Sequence, residues 1–243
     1  MKKPLNYGVM SDKERNRIVQ EVNILHELHH PNIVKYYDRI IDKKNTKLYI
    51  VMEYCPGGDL FSYLEQRKFK ISEERAAIIM NKICEAVFYF QSYFGVIHRD
   101  LKPENVLLTS SSDDSDIRIL DFGLSKISTP NEKCTEPYGT LTYCAPEIIL
   151  DEPYNKEVDM WSIGVMTYLM ISGRLPFNGE DENKIAREIA FNEPDFINAE
   201  CWKKVSKECI SFIKQLLEKN AKKRMVIGDA LKHPWFKKFI KKK

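Results

Sequence analysis

Residues 98–105, with the sequence His-Arg-Asp-Leu-Lys-Pro-Glu-Asn, carry side chains suited to phosphoryl-transfer chemistry. Such chemistry needs a carboxylate to orient an attacking hydroxyl, a cation near the moving phosphate and oxygen ligands for magnesium. Asp100, Lys102 and Asn105 supply these groups, and Asp121 adds a second carboxylate sixteen residues after Asn105. The set predicts a site where a metal-bound phosphate meets a hydroxyl.

Three short motifs occur in an order and at a spacing that make this interpretation specific. His98-Arg99-Asp100 or Asp121-Phe122-Gly123 alone would be a weak signal, because such triplets also occur in turns and on solvated surfaces. Together with Ala145-Pro146-Glu147, which closes a 27-residue segment that opens at Asp121, they match the signature set of protein kinases. The chain therefore resembles a eukaryotic protein kinase.

The resemblance implies an enzyme that transfers the γ-phosphate of ATP to Ser or Thr hydroxyls of a protein substrate. A lysine two residues after the catalytic aspartate, as at Lys102, resembles serine/threonine kinases instead of tyrosine kinases. We expect Asp100, Lys102 and Asn105 to be catalytic, with Asp100 orienting the hydroxyl and Lys102 neutralising the transferred group. Asn105 and Asp121 should bind Mg²⁺, since this cation takes oxygen ligands and is shared with the nucleotide phosphates.

Glu21, on the first predicted helix, resembles the family's glutamate that pairs with a strand lysine to hold the nucleotide phosphates. Its predicted partner is Lys3, because the separation of eighteen residues fits the family. Lys2 is the alternative, and a disordered N-terminal tail would provide no partner. The stretch from Lys3 to Gly8 is similar to the corresponding stretch of NIMA-related kinases.

The stretch from Met52 to Cys55 follows a predicted strand, precedes a Gly-Gly pair and resembles the kinase hinge. The resemblance implies that the backbone at Glu53 and Cys55 binds the adenine of ATP and that Met52 is the gatekeeper. A Met at the end of a strand is also a common core residue, so the role of Met52 depends on its position alone. Asp59 either reaches the ribose or caps the helix that begins there.

The hydrophobic pattern divides the chain into two unequal lobes. Residues 12–28 have helical spacing, and residues 33–41 and 48–53 are β-rich runs around a polar turn, which predicts a helix and a hairpin. After a Pro-Gly-Gly linker the pattern turns helical. We expect an α+β, bilobal protein-kinase-like fold, with residues 1–55 as a partial small lobe and residues 56–243 as a mostly helical large lobe.

The predicted large lobe has one helix, over residues 158–172, that is apolar nearly all round and should be buried. Asp159 lies near its start. This carboxylate either caps the helix or, as the resemblance implies, holds the backbone of the catalytic loop, residues 98–105. Short strands should flank a Ser- and Asp-rich tip at residues 109–116. Further helices are predicted over residues 59–66, 72–94, 182–191, 206–219 and 226–231.

The sequence contains no G-x-G-x-x-G motif. In the family, the glycine-rich loop and the first two strands of the small sheet would lie upstream of Lys3, so we expect a truncated chain with an incomplete small lobe. Without that loop the phosphates lose backbone donors and the site stays wet. This favours an alternative function, a catalytically weak or inactive kinase-like binding module.

Other residues of the large lobe match supporting positions of the family. Glu136 occupies a position where related kinases often carry a phosphorylated threonine, so its carboxylate should substitute in part for the phosphate, with Arg99 as the receiving cation. Thr140 resembles the threonine that contacts the catalytic aspartate and lysine. Arg224 matches the arginine that pairs with the glutamate of the Ala-Pro-Glu motif, Glu147.

The resemblance points to two groups within the family. Residues 121–126 and 232–236 resemble calcium/calmodulin-regulated and calcium-dependent protein kinases, whereas residues 21–60 resemble NIMA-related kinases. Glu104 and Asp59 match positions that basophilic kinases use to attract an arginine, although both could be solvated surface carboxylates. We favour a substrate preference for a basic sequence context.

Composition limits the classes of partner. A net charge of +3 from 38 basic and 35 acidic residues gives no global field for nucleic acid or membranes. Six irregularly spaced cysteines indicate buried thiols in a reducing compartment, and the longest apolar stretch, residues 161–173, is too short to cross a bilayer. We expect a cytoplasmic monomer without a nucleic-acid partner or membrane insertion. No EF-hand pattern occurs, so we expect no calcium-binding site.

Overall fold

The computed structural model describes residues 5–42, 44, 46–129, 132–197 and 200–240. The chain is a mixed α/β protein with a small N-terminal part, formed by one helix and a two-stranded sheet, and a larger, mostly helical part. The helices are α1 (Asp12–Glu27), α2 (Leu60–Glu65), α3 (Glu73–Tyr93), α4 (Pro146–Ile149), α5 (Glu157–Ser172), α6 (Glu182–Phe191), α7 (Lys207–Leu216), α8 (Ile227–Ala230) and α9 (Pro234–Phe239). The strands are β1 (Tyr36–Ile41), β2 (Leu48–Met52), β3 (Val96–Ile97), β4 (Val106–Leu108), β5 (Ile117–Ile119) and β6 (Lys126–Ile127).

Helix α1 begins with a reciprocal capping box. The Ser11 Oγ accepts the backbone N–H of Glu14 at 3.3 Å, and the Glu14 carboxylate accepts the backbone N–H of Ser11 at 2.8 Å. These bonds satisfy two of the N–H groups that a helix start leaves unpaired. Val22 and Leu25 are buried, and the helix packs against β1. Because Glu21 lies next to these apolar residues, the packing also brings its carboxylate into the interior, where only 6% of the residue is exposed.

The predicted hairpin is present, since β1 and β2 pair antiparallel. The predicted start of its first strand at Ile33 is wrong, because β1 begins at Tyr36. The backbone N–H of Val34 instead donates to the carbonyl of Ile119 at 2.9 Å, and Ile33 forms a parallel bridge to the same residue. Both side chains are buried, so this stretch joins the small part of the molecule to β5 of the larger part.

The β4–β5 hairpin brings the two predicted motifs together. Val106 at the start of β4 pairs with Ile119 at the end of β5, so the residue before β4 and the residues after β5 are neighbours. The N–H of Leu120 accordingly donates to the carbonyl of Asn105 at 2.8 Å. A second pairing, of β3 with β6, joins the chain before the catalytic loop to the chain after the Asp-Phe-Gly triplet. These two-residue strands are too short to give a periodic sequence signal.

Helix α5 forms the centre of the larger part. Every residue from Val158 to Ile171 is buried, which confirms the predicted buried helix. The helix packs against α3 and α7, and a Cβ added to Gly164 would lie 2.9 Å from atoms of Leu216 and Leu217. Glycine therefore allows α5 and α7 to pack at close range. Gly173 ends α5 with a φ of +79°, a conformation that disfavours a side chain.

All six cysteines are free thiols, and five of them are buried. Burial raises the pKa of the Cys84 and Cys209 thiols, so these groups remain protonated and behave as small apolar side chains. Along the described residues, none of the helices is both long enough and apolar enough to pass through a bilayer.

The predicted pair of Arg224 and Glu147 is present and buried. The two guanidinium nitrogens donate to the two carboxylate oxygens at 2.7 and 2.8 Å, and Arg224 also donates to the carbonyls of Glu157 and Glu218. The side chains are 0% and 7% exposed. Removal of one partner from such a pair leaves a buried charge without its counter-ion.

We therefore expect Glu147→Ala to lower the free energy of unfolding by about 3–5 kcal/mol. Chemical denaturation measures this change. Glu180→Ala is the control, since Glu180 is 3.8 Å from Lys184 in an exposed pair and should change stability by less than about 1 kcal/mol. Similar stabilities for both variants would contradict a stabilising role for the buried pair.

Candidate active site

The backbone of the catalytic loop is held by the buried carboxylate of Asp159 in the first turn of α5. One oxygen accepts the backbone N–H of Arg99 at 2.9 Å, and the other accepts the N–H of His98 at 3.0 Å and the side-chain amide of Gln91 at 2.9 Å. Asp159 has no exposed surface, and burial raises its pKa, whereas these three donors favour the ionised form. The predicted contact with the loop is present, and the N-cap residue of α5 is Lys156 instead.

Arg99 has a left-handed backbone, with a φ of +68°, next to the predicted catalytic aspartate. This conformation costs on the order of 1–3 kcal/mol for a residue with a side chain, so surrounding contacts must hold it. The bond to Asp159 and a bond from the Arg99 Nε to the carbonyl of Leu124 do so. In the residue before Arg99, the centroid of the His98 ring lies 4.9 Å from that of the buried Phe122 ring. Burial lowers the pKa of His98, so a neutral imidazole packs there.

Asp100, Lys102 and Thr140 form one connected polar cluster. The Lys102 ammonium lies 2.9 Å from Oδ2 of Asp100 and donates to the Thr140 hydroxyl at 2.7 Å. The Thr140 hydroxyl and backbone N–H both donate to Oδ1 of Asp100, at 2.9 and 3.1 Å. The contact predicted for Thr140 is therefore present, and each oxygen of Asp100 is fixed by a donor.

Asn105 and Asp121 supply oxygen atoms beside this cluster. The amide nitrogen of Asn105 donates to the carbonyl of Asp100 at 2.8 Å and to its Oδ2 at 3.1 Å, which leaves the amide oxygen as a candidate ligand. Asp121 has a φ of +68°, and its Oδ1 accepts the N–H of Gly123 at 3.3 Å. A carboxylate and an amide oxygen fit the preference of Mg²⁺ for oxygen ligands, with phosphate oxygens completing the coordination.

Glu21 approaches the Asp-Phe-Gly triplet from α1. A Cβ built on Gly123 would lie 3.1 Å from Oδ1 of Asp121 and 3.4 Å from Oε2 of Glu21, so both carboxylates reach this glycine. The predicted partner of Glu21, Lys3, lies outside the described residues. The Glu21–Lys3 pair therefore stays a prediction.

The predicted hinge begins at Met52, the last residue of β2, and continues directly after that strand. Met52 is 8% exposed within the core, and Cys55 is 9% exposed. The Glu53 carboxylate binds Arg118 at 3.0 and 3.1 Å, so any contact of Glu53 with a nucleotide would come from its backbone. Asp59 accepts the N–H of Ser62 at 2.7 Å and is the N-cap of α2. Of the two roles considered for Asp59, the structure contains the helix cap.

The family model for the protein kinase domain matches residues 1–236. The chain belongs to the protein kinase domain family. Its larger part, rich in helices, and its smaller part, with a hairpin and one long helix, form the kinase domain.

Curated relatives of this kinase domain include plant kinases. The rice protein "Calcium/calmodulin-dependent serine/threonine-protein kinase 1" (Oryza sativa subsp. japonica) is 42% identical over 90% of this chain and 36% of its own length. "CDPK-related kinase 7" of Arabidopsis thaliana is 42% identical over 89% of this chain and 37% of its own length. The chain thus spans about a third of the length of the curated relatives it matches.

The activation segment of the kinase domain, residues 121–147, contacts the catalytic loop through Glu136. Its carboxylate lies 3.3 Å from the guanidinium of Arg99, and its carbonyl accepts the Tyr154 hydroxyl at 2.7 Å. The pKa of Glu136 is lowered mainly by hydrogen bonds from backbone N–H groups and also by the nearby Lys126 and Arg99 cations. These effects outweigh its partial burial, which acts in the opposite direction. Glu136 therefore supplies a negative charge to Arg99, as predicted for this position.

Several supporting residues of the kinase domain were not predicted from the sequence. Gln91 is a buried polar residue on the otherwise apolar part of α3, and this position was the available signal for a structural partner. Other contacts join residues from different elements, namely Arg118 with Glu53, Tyr154 with Glu136 and Tyr138 with Arg99. The spacing of residues along one element does not reveal such contacts. In addition, the Ser125 side chain is buried and its hydroxyl donates to the carbonyl of His98, so Ser125 supports the catalytic loop from the activation segment.

We expect Glu136→Ala to slow peptide phosphorylation by unmodified protein by roughly threefold to tenfold. The guanidinium of Arg99, whose side chain is 6% exposed, would lose a carboxylate partner worth about 1 kcal/mol. The initial rate of phosphate incorporation measures this, with mass spectrometry to establish that the segment carries no phosphate. Glu132→Ala, which removes a carboxylate paired with Lys126 on the same segment, should leave the rate unchanged. An unchanged rate in Glu136→Ala would remove the proposed phosphate-like role.

Proposed function

We propose that this kinase domain transfers the γ-phosphate of ATP to Ser or Thr hydroxyls of protein substrates. The main support for this proposal is the polar cluster of Asp100, Lys102 and Thr140, in which both carboxylate oxygens of Asp100 are held by donors. A carboxylate fixed in this way is suited to orient one hydroxyl, and a lysine beside it is suited to face a phosphate. The rice relative is named as a serine/threonine-protein kinase, which supports Ser or Thr as the acceptor.

Asp100 would orient the substrate hydroxyl and accept its proton as the phosphoryl group moves. The Lys102 ammonium lies 2.9 Å from Oδ2 of Asp100, beside the place where the hydroxyl would meet the phosphate. Lys102 would therefore neutralise negative charge that spreads over the transferred group. Thr140 would hold the Asp100 and Lys102 side chains in fixed relative positions, because its hydroxyl forms hydrogen bonds with both. Since the Thr140 N–H also bonds to Asp100, the start of the segment that binds substrate would be tied to the catalytic loop.

Asn105 and Asp121 would hold Mg²⁺, and the backbone at Glu53 and Cys55 together with Met52 would hold the adenine. The amide oxygen of Asn105 forms no hydrogen bond within the described residues, which supports its use as a ligand. When bound, the magnesium–ATP complex supplies the phosphoryl group that is transferred. We also propose that Glu21 would fix the lysine that contacts the phosphates.

We propose a substrate preference for a basic sequence context. Glu104 supports this, because it is exposed one residue before Asn105, at the edge of the catalytic loop. Asp59 retains a carboxylate at the start of α2, although two of its bonds are used to cap that helix. Exposed carboxylates discriminate between substrates by roughly 1 kcal/mol each, so the expected preference is modest.

The competing proposal is a catalytically weak or inactive kinase-like binding module. It is favoured by the lack of a G-x-G-x-x-G motif in the sequence, because such a loop supplies backbone donors to the phosphates and excludes water. The two proposals differ in one property, namely whether phosphate transfer depends on Asp100.

A single-turnover assay with ATP, Mg²⁺ and an arginine-containing serine peptide separates the two proposals. We expect wild-type protein to transfer phosphate and Asp100→Ala to be slower by about 10²- to 10⁴-fold, because the variant loses the group that orients and deprotonates the hydroxyl. Asp114→Ala, which removes an exposed carboxylate in the loop between β4 and β5, is the matched control and should transfer at the wild-type rate. Equal transfer by the wild type and by Asp100→Ala would eliminate the enzyme proposal.

A further inference from the structure

The ring of Tyr138, in the activation segment, contacts two arginines from different parts of the fold. The guanidinium carbon of Arg17 in α1 is 5.0 Å from the ring centroid, and that of Arg99 in the catalytic loop is 4.8 Å from it. Arg17 also donates to the Tyr138 hydroxyl at 2.6 Å. One side chain of the activation segment therefore contacts both a helix of the small part and the catalytic loop.

The contact with Arg17 belongs to a larger contact made by one face of α1. Arg17, Gln20 and Glu21 are spaced by three and four residues, so they lie on the same side of the helix. Gln20 donates to the carbonyl of Ser125 at 3.2 Å, and the Glu21 carboxylate reaches Gly123. This face therefore contacts the activation segment near its start, at Gly123 and Ser125, and again at Tyr138 in its second half.

The contact with Arg99 ties Tyr138 to the catalytic residues. Arg99 lies directly before Asp100, and its backbone is fixed by Asp159. Its guanidinium binds the carbonyl of Leu124 and the carboxylate of Glu136 in addition to facing the Tyr138 ring. A displacement of Tyr138 would therefore change the contacts of Arg99, the residue directly before Asp100.

The chemistry of the arrangement explains why an aromatic residue suits this position. Among the described residues, the Glu136 carboxylate is the only anion that contacts the Arg99 guanidinium. The negative face of an aromatic ring attracts a cation, and Tyr138 presents its ring to both arginines. Its hydroxyl also accepts a charge-assisted hydrogen bond from Arg17. Tyr138 thus offers favourable contacts to two cationic groups from different elements.

We propose that Tyr138 is a positioning residue that couples α1 to the catalytic loop through Arg17 and Arg99, without requiring a phosphate on the activation segment. This inference rests on the proposed kinase function for its effect on rate. The coupling itself is a property of the fold and is measurable without turnover. It is distinct from the Glu136 contact, which reaches Arg99 but not α1.

The tests are a double-mutant cycle for phosphate transfer and hydrogen exchange of the backbone amides. Arg17→Leu and Tyr138→Leu should each lower kcat/KM by roughly tenfold, and the double variant should be no slower than either single variant by more than about twofold, since both remove the same contact. Tyr138→Phe keeps the ring that contacts both guanidiniums and loses only the hydroxyl bond, so it should recover part of the activity. We expect kcat to carry most of the change, with little change in the KM for peptide.

Arg15→Leu is the matched control. Arg15 lies one half-turn away in the same helix, and its guanidinium carbon is 5.1 Å from the centroid of the Tyr7 ring, so this variant also removes an arginine–tyrosine contact. It leaves the activation segment untouched and should retain wild-type kcat/KM. In hydrogen exchange, Tyr138→Leu should speed exchange in both residues 12–27 and residues 132–140, whereas Arg15→Leu should not affect residues 132–140.

Two results would overturn the inference. One is multiplication of the single effects in the double variant, which would show that Arg17 and Tyr138 act independently. The other is wild-type exchange of α1 in Tyr138→Leu. If Tyr138→Leu fails to fold, Tyr138→Phe and Arg17→Leu form the cycle, and the same criteria apply. Failure of the proposed function would appear differently, as equal transfer by the wild type and by Asp100→Ala, and the exchange comparison would still decide whether Tyr138 couples the two elements.

Discussion

One buried carboxylate fixes the geometry on which this kinase domain depends. Asp159 has no exposed surface, and its two oxygens accept the backbone N–H groups of His98 and Arg99 and the amide of Gln91. A buried charge without such donors would cost several kcal/mol, and buried N–H groups without an acceptor would also be costly. Each side of the interaction therefore requires the other. Because Asp100 follows these two residues directly, the buried helix α5 sets the position of the catalytic carboxylate.

The same loop is the meeting point of the other parts of the site. Arg99 keeps a strained backbone and extends its guanidinium toward Leu124, Glu136 and Tyr138, so the catalytic loop and the activation segment are held by one side chain. Tyr138 carries this connection to Arg17 of α1. The polar contacts at the surface of the site therefore depend on a backbone that the hydrophobic core of the larger part holds in place.

The sequence predicted which polar side chains lie together better than it predicted the residues that hold them in place. Asp100, Lys102 and Asn105 were identified because their types and spacing fit one reaction, and Thr140 was identified from the family resemblance. The structure joins these four residues in one set of contacts. The pairing of Asn105 with the chain after β5 follows from a short hairpin whose strands were also predicted.

Other features were beyond sequence reasoning. Ile33 was assigned to the first strand of the hairpin because it is β-branched, yet its backbone pairs with Ile119, some eighty residues further along the chain. The contacts of Tyr138 likewise join elements that are far apart in the chain, and no local periodicity encodes such contacts.

The most direct test of the central claim is single-turnover phosphate transfer by Asp159→Asn, measured together with the thermal unfolding of the variant. The variant keeps the side-chain volume but turns one acceptor into a donor that faces N–H groups. We expect a folded protein that transfers phosphate at least about 100-fold more slowly than the wild type. Transfer at the wild-type rate by the folded variant would contradict the dependence of the site on this carboxylate.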